Sequence, residues 1–461
     1  MDVKGKKVLV LGAGRSGVAS AAFLAERGAV VALHDKKDVD QWSEAARELK
    51  TAHNVGLMSG QIPSWLLDQI DLVVISPGVP TNTIPARYVD RKDGEVIGEV
   101  ELAYRYLRGR IVGITGSNGK TTTTALIGEI LKNGGLKVQV GGNIGTPLLN
   151  LTGTSREDGW TVAELSSFQL ETISTFHPAV ALCLNVTPNH LDRYESFNDY
   201  AAAKHRIFMN QTHGDVAVLN ADDPITLGWS TGLRAKTVLF SVESELEEGF
   251  FLRESDLVCR DAGNETVLTT RTDIFLKGLH NVQNVLAAFA AAMACGVPVE
   301  SIRETVRGFK GVEHRIEFVA EIDGVRFYND SKATSVDATS KALEALSDSE
   351  GKIVLILGGL GKNAPYGPLE PLITSSVRTL VLIGEDADNI ESQLGGTAPV
   401  IRADSLETAV RDGFAAACAG DAVLLAPACA SFDMFRSFEH RGEVFKSAVQ
   451  ALSAKAVDAS Q

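Results

Sequence analysis

The sequence predicts an α/β protein of three domains built on parallel sheets, and two observations carry that prediction. Three times a short β-branched run ends in glycines: Lys7–Gly14 (KVLVLGAG), Ile111–Lys120 (IVGITGSNGK) and Ile353–Lys362 (IVLILGGLGK). Strands that are apolar along their whole length and alternate with helix-like sequence belong to parallel sheets covered on both faces. The spacings between the three segments are far too large for a solenoid repeat. A length of 461 residues also leaves room for three domains of roughly 150 residues each. The expected breaks near residues 98 and 312 give domains 1–98, 99–312 and 313–461.

Composition narrows the class without naming a function. Hydrophobic residues make up 44% and charged residues 22%, the mix of a folded soluble protein whose domains bury cores without disulfides or metal. Lys+Arg number 44 against 58 Asp+Glu, a net charge of −14. Such an acidic surface is not built to cover phosphate backbone, so nucleic acid is not an expected partner. The five cysteines (Cys183, Cys259, Cys295, Cys418, Cys429) are an odd number with no CxxC pair, which reads as a reduced cytoplasmic protein. The first residues run directly into a strand, so no signal peptide is expected. No apolar run approaches the roughly 20 residues of a membrane span, so neither is membrane insertion.

Along the chain, the strand Lys7–Leu11 leads into Gly12-Ala13-Gly14-Arg15-Ser16-Gly17, a GxGxxG before the expected helix Val18–Arg27. The next strand, Val30–Leu33, ends at His34-Asp35. In the dinucleotide fingerprint the glycines admit a phosphate to a helix N-terminus and the acidic residue binds ribose. A nucleotide-type ligand and an unused tight turn both fit; on this cluster alone the ligand would be NAD. Ser76-Pro77-Gly78, after the strand Leu72–Ile75, either edges the same crevice or is a plain turn.

The second cluster, Gly113-Ile114-Thr115-Gly116-Ser117-Asn118-Gly119-Lys120-Thr121, reads as a phosphate-binding loop for ATP or GTP. Ile114 stands where the strict pattern has its first glycine, yet the mechanical parts are present. A strand leads in, successive amides can form an anion nest, Lys120 can reach β- and γ-phosphates, and Thr121 offers a hydroxyl to Mg²⁺. The strand Trp160–Ala163 delivers Glu164, and the strand Val180–Asn185 leads to His190. Both then stand at the carboxyl ends of strands, where α/β sheets bind ligands. Short strands with acidic turns between Ser241 and Asp273 read as a β excursion, and the Ala-rich stretch Ala287–Ala294 as a buried helix.

At this point several longer strings resemble one family, the Mur ligases, ATP-dependent amide ligases that build the peptidoglycan stem peptide. They are TGSNGKTT (Thr115–Thr122), ELSSFQLE (Glu164–Glu171), NVTPNHLDRY (Asn185–Tyr194) and HNVQN (His280–Asn284). NDSKATS (Asn329–Ser335), LGGLGK (Leu357–Lys362) and PACASFDMFRSFEHRG (Pro427–Gly442) resemble the branch that adds D-glutamate to UDP-N-acetylmuramoyl-L-alanine.

The resemblance implies an N-terminal Rossmann-like domain for UDP, a central P-loop ATPase domain and a C-terminal Rossmann-like domain for D-glutamate, in a cytoplasmic monomer. Arg15, Ser16, Gly17, Asp35, Lys36, Ser76 and Gly78 would edge the UDP site, with Asn143 on the same substrate. Gly116, Ser117, Asn118, Gly119, Lys120, Thr121 and Thr122 would hold ATP, together with Asn281, Asn284, His314, Arg315, Asp330 and Lys332. Thr334, Lys362, Ser431 and Phe438 would bind D-glutamate. Thr121 and Glu164 would hold one Mg²⁺, and His190 with a carbamylated Lys204 a second. Lys120, Glu164, His190, Lys204 and Arg315 form the implied catalytic set. From spacing alone Lys204 is a surface lysine on the helix Asp199–Ile207, and Asn281 an equally good helix cap. The rival readings are a sister ligase or folylpolyglutamate synthase-like enzyme, an NAD(P)-dependent oxidoreductase, and a nucleotide-binding regulatory protein without chemistry.

Overall fold

The computed structural model describes residues 1–84, 88, 94–143, 145–188, 193–276, 278–347, 351–361 and 365–459. Two compact units divide the chain: Met1–Ile274 with Leu279–Gly308, and Phe275–Gly278 with the chain from Phe309 onward. Among the described residues the first unit carries two sheets and the second carries one.

The first sheet joins β1 (Lys7–Leu11), β2 (Val30–Asp35), β3 (Gly56–Ser59), β4 (Leu72–Ile75) and β5 (Glu95–Gly98). The order is β3-β2-β1-β4-β5, all parallel. Along β1, Val8 and Val10 belong to one buried cluster while Leu9 and Leu11 belong to another. Successive strand residues point to opposite faces, so a strand covered on both must be apolar throughout. The helix after the glycine turn runs Arg15–Glu26, starting three residues before the expected Val18.

The second sheet comprises β6 (Arg110–Thr115), β7 (Lys137–Gly142), β8 (Gly159–Glu164), β9 (Val180–Cys183), β10 (Val216–Asn220), β11 (Lys236–Ser241), β12 (Gly249–Arg253), β13 (Asp256–Asp261) and β14 (Asn264–Thr270). Its order is β14-β13-β12-β11-β10-β9-β6-β8-β7. The stretch from β7 to β12 is parallel, and β12-β13-β14 form the antiparallel excursion expected before Asp273. Because β6 lies between β8 and β9, the strand order reverses there and opens a crevice at their carboxyl ends.

One apolar cluster runs through both sheets, joining Val8, Val10 and Leu72 to Ile111, Ala163 and Leu219. The helix Glu99–Tyr104 forms the junction directly after β5. Its Glu101 is fully buried and accepts amides from Ser174 (2.8 Å), Thr175 (3.0 Å) and Phe176 (2.9 Å). Arg105, one turn on, donates to Glu101 at 2.9 Å and to Glu95 at 2.6 Å. Burial alone would raise the carboxyl's pKa, but these donors outweigh it and hold Glu101 below the usual carboxylate range.

The third sheet contains β15 (Glu317–Ile322), β16 (Val325–Asn329), β17 (Ile353–Gly358), β18 (Val377–Ile383), β19 (Val400–Arg402) and β20 (Ala422–Leu425). In the order β15-β16-β20-β17-β18-β19 only β15 runs antiparallel to its neighbour. Leu355 and Leu357 face one core layer, Val354 and Ile356 the other.

Glu101→Ala strands three amides without their acceptor and leaves Arg105 paired to Glu95 alone. The expected cost is about 3–5 kcal/mol, the range for breaking a buried charged network by removing one partner. A lowered urea midpoint checks this; an unchanged midpoint contradicts it.

Candidate active site

The loop after β6 spans Gly116–Gly119, and the helix Lys120–Asn133 begins at once. Gly119 has a φ of 82°, and a Cβ there would lie 2.3 Å from Asn284 Oδ1. Both facts demand glycine. The same Asn284 oxygen accepts Thr123 Oγ1 at 3.2 Å, and Asn284 Nδ2 donates to Asn281 Oδ1 at 3.1 Å. Their helix runs Leu279–Ala294 rather than from Val282. Asn281 is therefore inside the first turn and not its cap. The loop's other wall is Asn185, which accepts the Ser117 and Asn118 amides at 2.9 and 2.8 Å. Ser117 Oγ lies 3.0 Å from Tyr200 Oη and accepts the Thr187 amide at 2.9 Å.

Two lysines converge on this loop. Lys120 Nζ donates to Gly116 O (2.8 Å) and Ser117 O (2.9 Å). Lys204 Nζ donates to the same Gly116 carbonyl at 2.8 Å. The reading of Lys204 as a surface residue is overturned, for it is 2% exposed and lies 4.6 Å above the Tyr200 ring. Its helix, Phe197–His205, buries the face bearing Tyr200, Ala201, Ala203 and Lys204. Burial, and then the Lys120 charge, push the Lys204 pKa down to about 7. Near neutral pH much of it is free amine.

Thr121 and Glu164 meet on the other side. Glu164 ends β8 in register with Ile114 of β6, which sets it beside the loop. Its Oε2 accepts Thr121 Oγ1 at 2.9 Å and its Oε1 accepts Asn143 Nδ2 at 2.9 Å. The Asn143 amide also donates to Glu164 O at 2.8 Å. Thr121 and Glu164 are buried, and Thr122 is half-buried on the same turn. One carboxylate and one hydroxyl, both oxygen donors, fit a hard cation that completes its shell with phosphate oxygens and water. Among the described residues no three His, Cys, Asp or Glu side chains gather into a metal cluster. His190 and Asn189 lie outside the described residues.

The residues expected at a UDP site stand at the carboxyl ends of β1, β2 and β4. Gly17 is forced, because a Cβ would come 1.7 Å from Gly12 O. Ser76 Oγ donates to the same carbonyl at 3.3 Å. Asp35 accepts the Ala13 amide at 2.8 Å and the Lys37 amide at 3.0 Å. Burial opposes its ionisation, yet these amides prevail and hold its pKa below the ordinary value. Asp35 thus pins the glycine turn. Arg15, Lys36 and Gly78 are exposed around it, and Ser16 is half-buried. Arg193 of the central domain reaches over, donating to Pro77 O at 2.7 Å while its guanidinium lies 4.0 Å above the Phe168 ring.

In the second unit Asp330 is buried at the end of β16, near Arg315, Lys332 and the Ile316 amide. Burial raises its pKa to about 7 despite both cations. Arg315 Nε is buried and has no hydrogen-bond partner among the described residues. His314 packs at the same place, its Nδ1 3.0 Å from Asn329 Nδ2, which also donates to Glu317 at 2.9 Å. The Lys332 ammonium lies 5.9 Å over the Phe438 ring, and Thr334 follows two residues on. Ser431 is buried on the loop after β20. Lys362 lies outside the described residues.

Asn185, Thr187, Tyr200, Arg193 and Arg441 were not assigned roles from the sequence. Asn185 closed an expected strand, a position that draws attention to it; Tyr200 carried no local signal.

Fold and loop together define a three-domain α/β protein with a phosphate-binding loop at a sheet's switch point. Family models match in series: a Mur ligase MurD-like N-terminal domain over residues 6–98, a Mur ligase middle domain over 114–292 and a Mur ligase glutamate ligase domain over 314–429. The chain is 49% identical over 455 residues to the UDP-N-acetylmuramoylalanine--D-glutamate ligase of Acidobacterium capsulatum, covering 98% of this chain and 97% of that one. It is 47% identical to the protein of the same name from Koribacter versatilis, covering 98% and 99%. A pseudomurein peptide ligase type C from Methanothermus fervidus shares the fold, with a TM-score of 0.57 at 19% identity, covering 97% and 100%. The chain belongs to the Mur ligase family. No described helix is long and apolar enough to cross a membrane.

Lys204→Met tests the buried amine. A pKa lowered on folding means that the unfolded chain binds more protons between about pH 7 and the unfolded value near 10.5. The parent therefore carries its full penalty below pH 7 and sheds it as pH rises. Measured by denaturation in CO₂-free buffer, the variant gains relative to the parent by on the order of 2–4 kcal/mol at pH 6. That gain shrinks toward pH 10. A difference that does not change with pH contradicts the assignment.

Proposed function

We propose that this protein is an ATP-dependent amide ligase that joins D-glutamate to UDP-N-acetylmuramoyl-L-alanine in peptidoglycan precursor synthesis, acting in the cytoplasm as a monomer. The observation that carries the reading is the phosphate loop flanked by Thr121–Glu164 and by buried Lys204, in a chain nearly half identical, end to end, to ligases of that name.

A carboxylate is a poor electrophile, so amide formation needs an activated acyl group. The alanyl carboxylate attacks the γ-phosphorus of ATP in line, giving an acyl phosphate and ADP. Two anions must meet, which is unfavourable until Lys120 and Arg315 neutralise the transferring group. Lys120 is poised on the loop for this, and Arg315 supplies a planar donor whose Nε meets no acceptor among the described residues. The amine of D-glutamate then attacks the acyl carbon, the C–N bond forms, and phosphate leaves with the former carboxylate oxygen.

Thr121 and Glu164 would hold one Mg²⁺, and His190 with carbamylated Lys204 a second; bound there, the ions supply charge neutralisation and a template for the phosphates. Carbamylation needs a neutral amine, which adds to CO₂ and releases a proton. A buried lysine titrating near 7 meets that requirement, and the product is an anion in place of a second cation beside Lys120. Gly116–Thr122, Asn281, Asn284, His314, Asp330 and Lys332 would bind ATP. Arg15, Ser16, Gly17, Asp35, Lys36, Ser76, Gly78 and Asn143 would bind the UDP substrate, and Thr334, Lys362, Ser431 and Phe438 D-glutamate.

The test is phosphate release with ATP, Mg²⁺, UDP-N-acetylmuramoyl-L-alanine and a panel of amino acids. Release should require D-glutamate, and Lys120→Ala should lower kcat by about 10²–10³-fold, as for loss of a transition-state charge donor. Release without D-glutamate, or untouched by Lys120→Ala, sinks the proposal.

A further inference from the structure

Arg441 is the largest side chain completely withdrawn from solvent among the described residues. It sits in the helix Phe438–Ala459. Its Nε donates to Ser331 Oγ at 3.0 Å and its Nη2 to Ser331 O at 2.9 Å. Nη1 and Nη2 reach Cys429 O at 3.3 and 3.2 Å, and Nη1 reaches Ala430 O at 3.3 Å. Every one of these acceptors is neutral. Buried cations are ordinarily paired with a carboxylate, yet no Asp or Glu oxygen of the described residues lies within ion-pair distance of this one; Asp433 acts on it only from further away. Burial accordingly pushes the guanidinium's pKa down to about 10.

The position matters as much as the charge. Ser331 lies between Asp330 and Lys332 after β16, and Cys429 and Ala430 follow β20. Gly359 follows β17, and a Cβ there would lie 3.3 Å from Arg441 Nη1. These strands are neighbours in the sheet, in the order β16-β20-β17. One guanidinium thus fastens the loops after β16 and β20 and packs against the loop after β17, at the carboxyl ends where an α/β sheet presents its ligand site. Immediately beyond Ala430 the amides of Ser431 and Phe432 donate to no acceptor among the described residues. Free successive amides next to carbonyls drawn onto a cation make an anion-accepting turn.

We infer that Arg441 is a positioning residue for the acceptor amino acid: it holds the Ser431–Phe432 amides and the Lys332–Thr334 loop in place, and its unbalanced charge favours an acceptor with two carboxylates over one with a single carboxylate. The inference rests on the proposed ligase reading and adds to it a source of selectivity that never touches the substrate.

The full-length chain is compared with Arg441→Lys, Arg441→Met and Ser331→Ala in the coupled assay. For each, kcat, the three KM values, the preference for D-glutamate over D-glutamine and the thermal midpoint are measured. Arg441→Lys and Ser331→Ala should raise KM for D-glutamate several-fold and leave KM for ATP and the UDP substrate within about twofold, because the fork is lost or loosened while the charge remains. Arg441→Met should also cut the preference for D-glutamate over D-glutamine by about tenfold or more, the size of a partly screened charge interaction, whereas Arg441→Lys keeps that preference. Should Arg441→Met not fold, the KM pattern of Ser331→Ala decides. KM values that all move together with kcat and midpoint, or a preference intact in Arg441→Met, overturn the inference. A parent enzyme with no response to D-glutamate overturns the ligase reading instead, and this inference with it.

Discussion

Two ammonium groups, Lys120 and Lys204, donate to one carbonyl oxygen, that of Gly116. Inside a buried loop, two like charges on one acceptor are tolerable only if one is neutral or an anion arrives between them. Much around the loop follows from that constraint. Tyr200 offers Lys204 a ring face in place of water and passes its hydroxyl to Ser117. Asn185 takes up the two loop amides that water would otherwise satisfy. The arrangement suits an anion such as phosphate at the loop.

The acidic balance of the whole chain, −14, runs against all three proposed substrates, which are anions. Selectivity then has to come from a few placed cations rather than from the bulk field. Lys120 stands on the phosphate loop, Arg315 and Lys332 flank Asp330, and Arg441 is buried behind three loops. The same economy governs the N-terminal domain, where Asp35 turns its carboxylate onto the Ala13 and Lys37 amides. There the glycine turn is held shut by an internal anion.

What the sequence discloses depends on how local its cause is. The strands and both glycine loops are legible because a strand covered on both faces must be apolar, a loop that passes backbone against backbone must be glycine, as at Gly17, and a left-handed turn favours it, as at Gly119. Glu164 was legible as the last residue of an expected strand. Lys204 was misread because a nine-residue helix, Phe197–His205, carries too little periodicity to say which face is buried. The start of the helix at Leu279 was missed because it precedes the apolar run. Glu101 and Arg441 left no trace at all. The amides that Glu101 accepts lie more than seventy residues away, and Arg441 joins the nearby Cys429 and Ala430 carbonyls to Ser331, 110 residues away, so only the tertiary fold assembles either set. Family resemblance supplied Lys204 as a candidate, and geometry supplied the reason it is unusual.

The central claim is that the loop activates a carboxylate by phosphorylation rather than merely hydrolysing ATP. It is tested most directly by supplying UDP-N-acetylmuramoyl-L-alanine with ¹⁸O in its alanyl carboxylate and analysing the phosphate released during D-glutamate-dependent turnover. One ¹⁸O per phosphate is expected, carried over from the acyl phosphate when the amine displaces it. Phosphate containing no ¹⁸O from the substrate would contradict it.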